Sequence, residues 1–288
     1  TCPVYWNTPI SALFSFPMKF LFPFIVFAAN VFFANAQQLS ATVAVQSKIK
    51  SQREITYSAK DEQKDTVQSI RIFNYDEKGN CSDSYEYISA GRKQMKVVFS
   101  FDEKGNIEES DSVDGDGKIF SKSFYNYDVK GKLLKIKTQD TSGHFLKQCV
   151  FTNNPNGKPH EQKCTDSVGK IIYREVYKYD STGALSQCDY FNANSKLYLS
   201  CKYSLGKLTG IGKYHSDGTL ASVHSIYYDY GGNKTDEVDF DGKGTIVKKV
   251  TYTCGPFVGP GLWIKQTEFD PNGKAVIIIE RDFEFYPQ

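Results

Sequence analysis

Aromatic and polar residues alternate along most of the chain, and a glycine-containing turn follows each alternating stretch. Lys122–Tyr127 reads KSFYNY and Val176–Tyr179 reads VYKY, so tyrosines recur there at every second position. Successive side chains of a β-strand point to opposite faces, and this spacing therefore places an aromatic row on one face. The pattern predicts strands, and no stretch shows a helical period longer than two turns.

A turn motif recurs within this pattern. An aromatic residue, a spacer, a second aromatic residue and Asp precede a Gly, and degenerate copies are centred on Phe151, Tyr203 and Tyr252. The copies are spaced by about 25 residues, which indicates a repeat array. The Asp and Gly of the recognisable copies are Asp76 and Gly79, Asp102 and Gly105, Asp128 and Gly131, Asp180 and Gly183, Asp229 and Gly232, and Asp270 and Gly273.

A second glycine turn lies about halfway through each unit, as at Gly117, Gly143 and Gly169. The spacing between turns leaves a strand of about seven or eight residues, which is typical of hairpins. We predict an all-β fold, a repetitive antiparallel β-hairpin array with about 25 residues per repeat, arranged as an elongated twisted sheet or open solenoid. Closure into a compact barrel-like shell is the main alternative.

The recurrent Asp and Gly have a structural explanation. The Asp side chain can accept a hydrogen bond from the backbone N–H two residues on, and the Gly supplies a positive φ. Catalytic carboxylates are normally unique in a chain, whereas these recur with the repeat. We therefore interpret them as structural turn residues.

The consensus Tyr-Asp-x-x-Gly-x-Leu resembles the YD repeat of bacterial RHS-type proteins and, more distantly, the MORN-like exported repeat proteins. The resemblance covers residues 70–285. It implies an exported or cell-surface β-structure, and some YD repeats are associated with carbohydrate binding or with encapsulating a toxin. The chain is far shorter than the toxin shells, so the resemblance favours binding over encapsulation.

The first 36 residues differ from the repeat region. Lys19 precedes an apolar run, Phe20–Phe33, and small residues follow at Ala34–Ala36. This is the layout of a secretory signal peptide cleaved before Gln37, and an uncleaved anchor that extends back to Ile10 is the competing interpretation. We divide the chain into a non-native upstream extension at 1–17, a signal peptide at 18–36, an N-terminal lead-in at 37–69 and the repeat domain at 70–288.

Composition narrows the function classes. Beyond residue 36 the chain carries 34 Lys and Arg against 33 Asp and Glu, and it has 18 Tyr beside 11 Leu. The near-neutral charge argues against a nucleic-acid partner and against polybasic membrane binding. The shortage of helix formers argues against a helical bundle or an α/β enzyme. After removal of the leader we expect no integral membrane span.

Two pairs of cysteines straddle predicted turns. Cys188 and Cys201 lie about equally far from the turn at 193–194, and Cys149 and Cys164 flank the turn at 153–157. Behind a signal peptide such pairs are candidate disulfides. The alternative is that the cysteines replace core aromatics, with Cys149 and Cys201 in the first aromatic column. The remaining two, Cys81 and Cys254, have no obvious partner.

No catalytic, cofactor-binding or metal site is predicted. Residues 112–123 resemble a calcium-binding loop, but Ser123 stands where a bidentate Glu is needed, and the four His have no metal-ligand spacing with the cysteines. We expect a non-enzymatic binding or scaffold protein of the cell envelope or exterior, with a surface glycan or protein as partner. We interpret the Tyr and Phe columns as core, and the alternative is a sugar-stacking platform formed by exposed aromatics such as Tyr190, Phe191 or Trp263. The alternative is a secreted carbohydrate-active enzyme that uses a carboxylate pair outside the repeat.

Overall fold

The computed structural model describes residues 48–88, 95–259 and 262–287. The predicted upstream extension, the signal peptide and the start of the lead-in lie outside these ranges. The described residues form strands joined by short turns. Among them there is no helix that is long and apolar enough to cross a membrane.

Twenty strands occur in the described residues. The first ten are β1 Ile49–Lys60, β2 Gln63–Tyr75, β3 Cys81–Ile88, β4 Met95–Phe101, β5 Ile107–Val113, β6 Ile119–Tyr127, β7 Leu133–Asp140, β8 Phe145–Asn153, β9 Pro159–Asp166 and β10 Ile171–Tyr179. The others are β11 Leu185–Asn192, β12 Leu197–Ser204, β13 Lys207–Tyr214, β14 Leu220–Tyr228, β15 Lys234–Asp241, β16 Ile246–Cys254, β17 Phe257–Gly259, β18 Leu262–Trp263, β19 Lys265–Phe269 and β20 Ala275–Phe285.

Eighteen of these strands form one closed antiparallel barrel. Each strand from β1 to β16 pairs with the next, β16 pairs with β19, β19 with β20, and β20 returns to β1. The short strands β17 and β18 form a separate hairpin. The all-β antiparallel prediction is therefore confirmed.

The prediction of an open sheet or solenoid is wrong. The barrel closes where β20 pairs with β1, and we call this pairing the seam. There, Ile55 of β1 is paired with Ile70 of β2 on one side and with Glu280 of β20 on the other. Closure satisfies the backbone N–H and C=O groups that an open array would leave unpaired at its two edges. Residues 49–69, placed by sequence in the lead-in, supply β1 and part of β2.

Cross-strand partners share a face of the sheet, and neighbouring rows of partners differ in burial. Tyr125, Ile136 and Cys149 are successive partners on β6, β7 and β8, and all three are buried. The next row holds Asn126 and Val150, which are exposed. The buried row of Tyr125, Ile136 and Cys149 therefore points inward, and the row of Asn126 and Val150 lies on the outer wall.

Successive turns lie at opposite ends of the barrel because the strands run up and down. We call the end that carries the turns after β2, β4, β6, β8, β10, β12 and β14 the first rim, and the opposite end the second rim. The motif turns at Asp76, Asp102, Asp128, Asp180 and Asp229 all lie on the first rim. Asp270 and Gly273 lie on the second rim, because the β17–β18 hairpin occupies the first-rim position after β16.

Inward-facing residues divide the barrel into two halves. Strands β4 to β13 form the aromatic half, whose buried side chains make one cluster of Phe99, Ile107, Tyr125, Leu133, Ile136, Cys149, Phe151, Cys164, Tyr173, Tyr177, Cys188, Tyr190, Cys201 and Ile211. Strands β14 to β16, β19, β20 and β1 to β3 form the charged half, with buried Glu54, His224, Lys234, Glu237, Glu268 and Arg281.

Candidate functional site

The motif Asp side chains bind the backbone of their own turns. Oδ1 of Asp128 accepts hydrogen bonds from the N–H groups of Lys130 and Lys132, both at 2.8 Å. Gly131 has a φ of 78°. The hydrogen bond from Lys132 is the main cause that lowers the pKa of Asp128. Oδ1 also accepts from the backbone N–H four residues on at Asp76, Asp102, Asp180, Asp229 and Asp270.

The turns of the second rim have the same hydrogen-bonding pattern, although the two aromatic residues of the motif do not precede their Asp. Asp166, which the sequence motif leaves outside its columns, accepts from the N–H groups of Val168 and Lys170 at 3.0 and 2.9 Å. Gly169 has a φ of 83°. The equivalent carboxylates are Asp114, Asp140 and Asp241. These carboxylates therefore have a structural role at both rims.

Tyrosines of the second aromatic column connect neighbouring strands at the first rim. The hydroxyl of Tyr179 donates to the carbonyl of Pro159 at 2.7 Å, and that of Tyr228 donates to Leu208 at 2.8 Å. In both cases the acceptor lies 20 residues earlier. Burial raises the pKa of Tyr179 to about 12, so this hydroxyl keeps its proton. A repeating hydrogen bond, in addition to packing, explains why the motif favours Tyr.

One of the two predicted cysteine bridges is present. Cys149 and Cys164 are direct cross-strand partners joined by a disulfide. Cys188 and Cys201 are also direct partners, but they form no disulfide, and Sγ of Cys188 lies 4.0 Å from Oε2 of Glu175. Burial raises the pKa of Cys201 to about 12, which keeps its thiol protonated. Within the described residues, Cys81 and Cys254 form no disulfide either.

The alignment of Cys149 with the first aromatic column is wrong by two residues. The turn after β8 begins at Asn154, whose carbonyl accepts from Gly157. Asn153 therefore holds the second aromatic position, and its amide donates to the Leu133 carbonyl at 3.3 Å, again 20 residues earlier. Phe151 is the first aromatic of this copy.

The inward-facing side chains of the aromatic half include the carboxyl group of Glu175. The Tyr177 hydroxyl lies 2.6 Å from Oε2 of Glu175 and 2.9 Å from Oε1 of Gln162. Gln162 also donates through Nε2 to the Tyr173 hydroxyl at 3.3 Å. Burial raises the pKa of Glu175 to about 7. This carboxyl group therefore takes up a proton near neutral pH inside a closed core.

The charged half brings two carboxylates to one hydroxyl. Tyr252 lies 2.7 Å from Oε2 of Glu237 and 3.1 Å from Oε2 of Glu268. Lys234 donates to Oε1 of Glu237 at 2.7 Å, and burial is the main cause that raises the pKa of Glu268. Two carboxylates this close together, Glu237 and Glu268, could also form a catalytic acid–base pair. Whether they are catalytic or structural is judged from their position in the repeat.

Glu237 occupies a repeated structural position. Each of three buried tyrosines binds the polar residue 15 positions earlier on the neighbouring strand: Tyr125 binds Ser110, Tyr177 binds Gln162, and Tyr252 binds Glu237. The Tyr252 hydroxyl also fills the space between the two carboxylates, where a glycosidic oxygen would have to enter. This pair of carboxylates therefore has a structural explanation.

A third buried group joins the seam to the β17–β18 hairpin. Arg281 of β20 donates from Nε to Oε2 of Glu54 on β1 at 2.9 Å. Its guanidinium carbon lies 3.5 Å from the ring centroid of Trp263. Trp263 and Tyr190 are 3% and 5% exposed, so the expectation that they are surface aromatics is wrong. Phe191, the remaining residue of that group, is half-buried on the outer wall.

The described residues contain no group of three or more His, Cys, Asp or Glu side chains that could hold a metal ion. In the segment that resembles a calcium loop, Ser112 and Ser123 are buried strand residues. The Asp114 carboxylate accepts from the backbone of its own turn. The buried serines and the Asp114 turn are therefore parts of the β5–β6 hairpin.

The outer wall carries a row of cations across the middle of the aromatic half. Successive cross-strand partners from β7 to β11 are Lys135, Val150, Lys163, Arg174 and Phe191, which we call the basic row. The Arg174 guanidinium lies 4.2 Å from the Phe191 ring centroid. This alignment depends on the register across five strands, which the sequence alone does not give.

No family model matches the chain, and no curated protein matches it. Solved structures with a similar arrangement include a porin-like protein from Bacteroides uniformis, at 11% identity and a TM-score of 0.44, over 82% of this chain and 98% of that one. A porin-like protein from Bacteroides vulgatus has 13% identity and a TM-score of 0.29, over 83% and 99%. The Photorhabdus luminescens Tc holotoxin pore has 14% identity and a TM-score of 0.27, over 76% and 14%.

Proposed function

We propose that the chain is an exported, non-enzymatic β-repeat protein that binds or scaffolds a surface glycan or protein through the outer wall of its barrel. The observation that carries this proposal is the charge on that wall. Lys122, Lys163 and Arg174 lie within strands on outward-facing positions. A lipid-facing barrel wall is apolar in this region, and a Lys or Arg there costs about 2–4 kcal/mol. The outer wall is therefore suited to water and to a polar partner.

Export is supported by the leader motif and by the Cys149–Cys164 disulfide. Such bonds persist in oxidising compartments and are rare in the cytosol. The Asp–Gly turns and the 20-residue tyrosine bonds also suit membership of the YD-repeat class, which we propose on the consensus motif. The cell envelope or the exterior is then the place of action.

The test follows the tagged full chain in its source cell. We expect a mature protein that begins at Gln37 or within a few residues of it, in an exported fraction, with Cys149 and Cys164 protected from thiol alkylation. The purified protein should bind an envelope polysaccharide or protein without hydrolysing it. An unprocessed cytosolic product in which Cys149 and Cys164 react with the alkylating agent, or hydrolysis that Glu237→Gln abolishes, would contradict the proposal.

A further inference from the structure

We propose that the basic row is a binding site for an anionic polysaccharide. The inference rests on the proposed function and specifies its ligand class and its place on the outer wall. The row runs across five neighbouring strands, β7 to β11. At about 4.8 Å per strand it extends for about 19 Å, which suits a linear chain lying across the strands.

Two cations of the row, Lys135 and Lys163, lack the carboxylate partners that Lys122 and Lys249 have elsewhere on the wall. Lys122 lies within ion-pair distance of Glu109 and Asp111, and Lys249 lies 3.3 Å from Asp236. Within the described residues, Lys135 and Lys163 form no ion pair, and Arg174 has a single long contact, 3.5 Å to Glu161. The row therefore presents positive charge that the protein itself does not neutralise.

Two of these cations face each other. Lys163 of β9 and Arg174 of β10 are direct cross-strand partners. Like charges directly opposite each other on neighbouring strands destabilise a sheet. An anion between them would remove this repulsion, so the arrangement costs stability in the free protein and favours a negatively charged ligand.

The apolar members of the row select the kind of polyanion. Val150 lies between Lys135 and Lys163, and Phe191 covers the guanidinium of Arg174. A sugar ring presents apolar C–H faces beside its hydroxyl and acidic groups, so it can contact Val150 and Phe191 while its anion contacts a cation. Nucleic-acid-binding proteins usually present a larger basic surface, whereas this chain has a net charge of +2.

The test measures the binding of the full mature chain to four probes: polygalacturonate for carboxylate groups, dextran sulfate for sulfate groups, neutral dextran, and an oligothymidylate. The variant Lys135→Gln/Lys163→Gln removes two charges from the row. The matched control Lys249→Gln/Lys265→Gln removes two from the outer wall of β16 and β19. We expect the row variant to bind one of the acidic polysaccharides about tenfold more weakly and the control to bind as wild type does.

Two further readouts separate a ligand site from a structural role. The slope of log affinity against log salt should become shallower by about one for each cation that contacts the polymer. The thermal midpoint of Lys163→Gln should equal or exceed that of wild type, because the repulsion with Arg174 is gone. Equal weakening in both double variants, or tighter binding of the oligothymidylate, would overturn the inference. Binding of neutral dextran or of a protein alone would also overturn it while leaving the proposed function intact.

Discussion

The two halves of the barrel use the same repeat positions for opposite chemistry. In the aromatic half, Tyr177 binds the neutral side chain of Gln162, whereas at the equivalent place in the charged half Tyr252 binds the carboxylate of Glu237. Both tyrosines are buried. At this repeat position the tyrosine hydroxyl therefore finds a polar partner 15 residues earlier, and the position does not fix whether that partner is charged.

The charged half also contains the seam, and its buried charges help to fix the register of the two strands that meet there. The Arg281–Glu54 pair joins residues that are 227 positions apart. An apolar contact would accept neighbouring registers of β1 on β20, whereas an ion pair with a directed hydrogen bond favours a single one. A role in register is a well-attested use of buried ionic groups. The aromatic half has only short hairpins to align and can rely on packing.

The largest expected effect is in the charged half. Arg281→Met leaves Glu54 buried without its closest cation, and breaking a buried pair in this way costs about 3–5 kcal/mol. The control Lys50→Met removes an ion pair with Glu284 whose side chains are exposed, and it should cost less than about 1 kcal/mol. Urea midpoints of the two variants measure the difference. Equal midpoints would remove the assigned role of Arg281 at the seam.

The aromatic half should respond most to loss of its disulfide. Cys149→Ala/Cys164→Ala opens a loop between residues 15 positions apart, and it should cost about 2–4 kcal/mol. Reductant should lower the urea midpoint of the wild-type protein and leave that of the double variant unchanged. The control Cys188→Ala removes a free thiol and should keep the reductant sensitivity. A wild-type midpoint that ignores reductant would contradict this prediction.

Glu175 gives the aromatic half a pH dependence. Its pKa is about 7 in the folded protein against 4.5 for an ordinary Glu, so the folded state holds a proton that the unfolded state has lost between these values. Stability from this group is present below pH 4.5 and declines as pH rises to about 7, by on the order of 3 kcal/mol. Glu175→Gln should flatten the stability profile over this range. If the slope of stability against pH did not change in this variant, a group other than Glu175 would be responsible for the pH dependence.

The smallest effect compares two aspartates within one turn. Asp114→Ala removes a carboxylate that accepts from the N–H groups of Asp116 and Lys118, both at 3.0 Å, and should cost about 0.5–1.5 kcal/mol. Asp116→Ala changes an exposed side chain of the same turn and should leave stability within about 0.5 kcal/mol of wild type. The thermal midpoints of the two variants, measured side by side, give the difference in stability. A larger loss in Asp116→Ala would remove the hydrogen-bonding explanation.

The sequence predicts what depends on local chemistry. The Asp–Gly turn and the period-2 strands are determined by residues within about ten positions of each other, and the Cys149–Cys164 bridge crosses a single hairpin. Closure could not be predicted this way, because β1 carries no copy of the motif and its partner β20 lies at the other end of the array.

The inward charges were missed for a related reason. The strand Lys234–Asp241 reads KTDEVDFD, so period-2 alternation places Val238 and Phe240 on one face, which looks like the buried one, and Glu237 on the face that looks solvated. A usable signal does exist, namely a polar residue 15 positions before a buried Tyr, as at Ser110, Gln162 and Glu237. The basic row needed the actual register, because every β-bulge shifts which outward residues become neighbours.

The seam also has a consequence for the order in which the barrel assembles. Neighbouring hairpins close short loops and can form in about 1–10 μs, whereas the seam must close a loop of more than 200 residues, for which the entropy cost is higher. During synthesis β1 is made first and β20 last, so one edge of the growing sheet stays unpaired until the final strand is available. An intermediate with two free edges can pair with another copy as readily as with itself. Dilution or a chaperone that shields β1 should therefore raise the yield of closed barrels more than any improvement in hairpin stability.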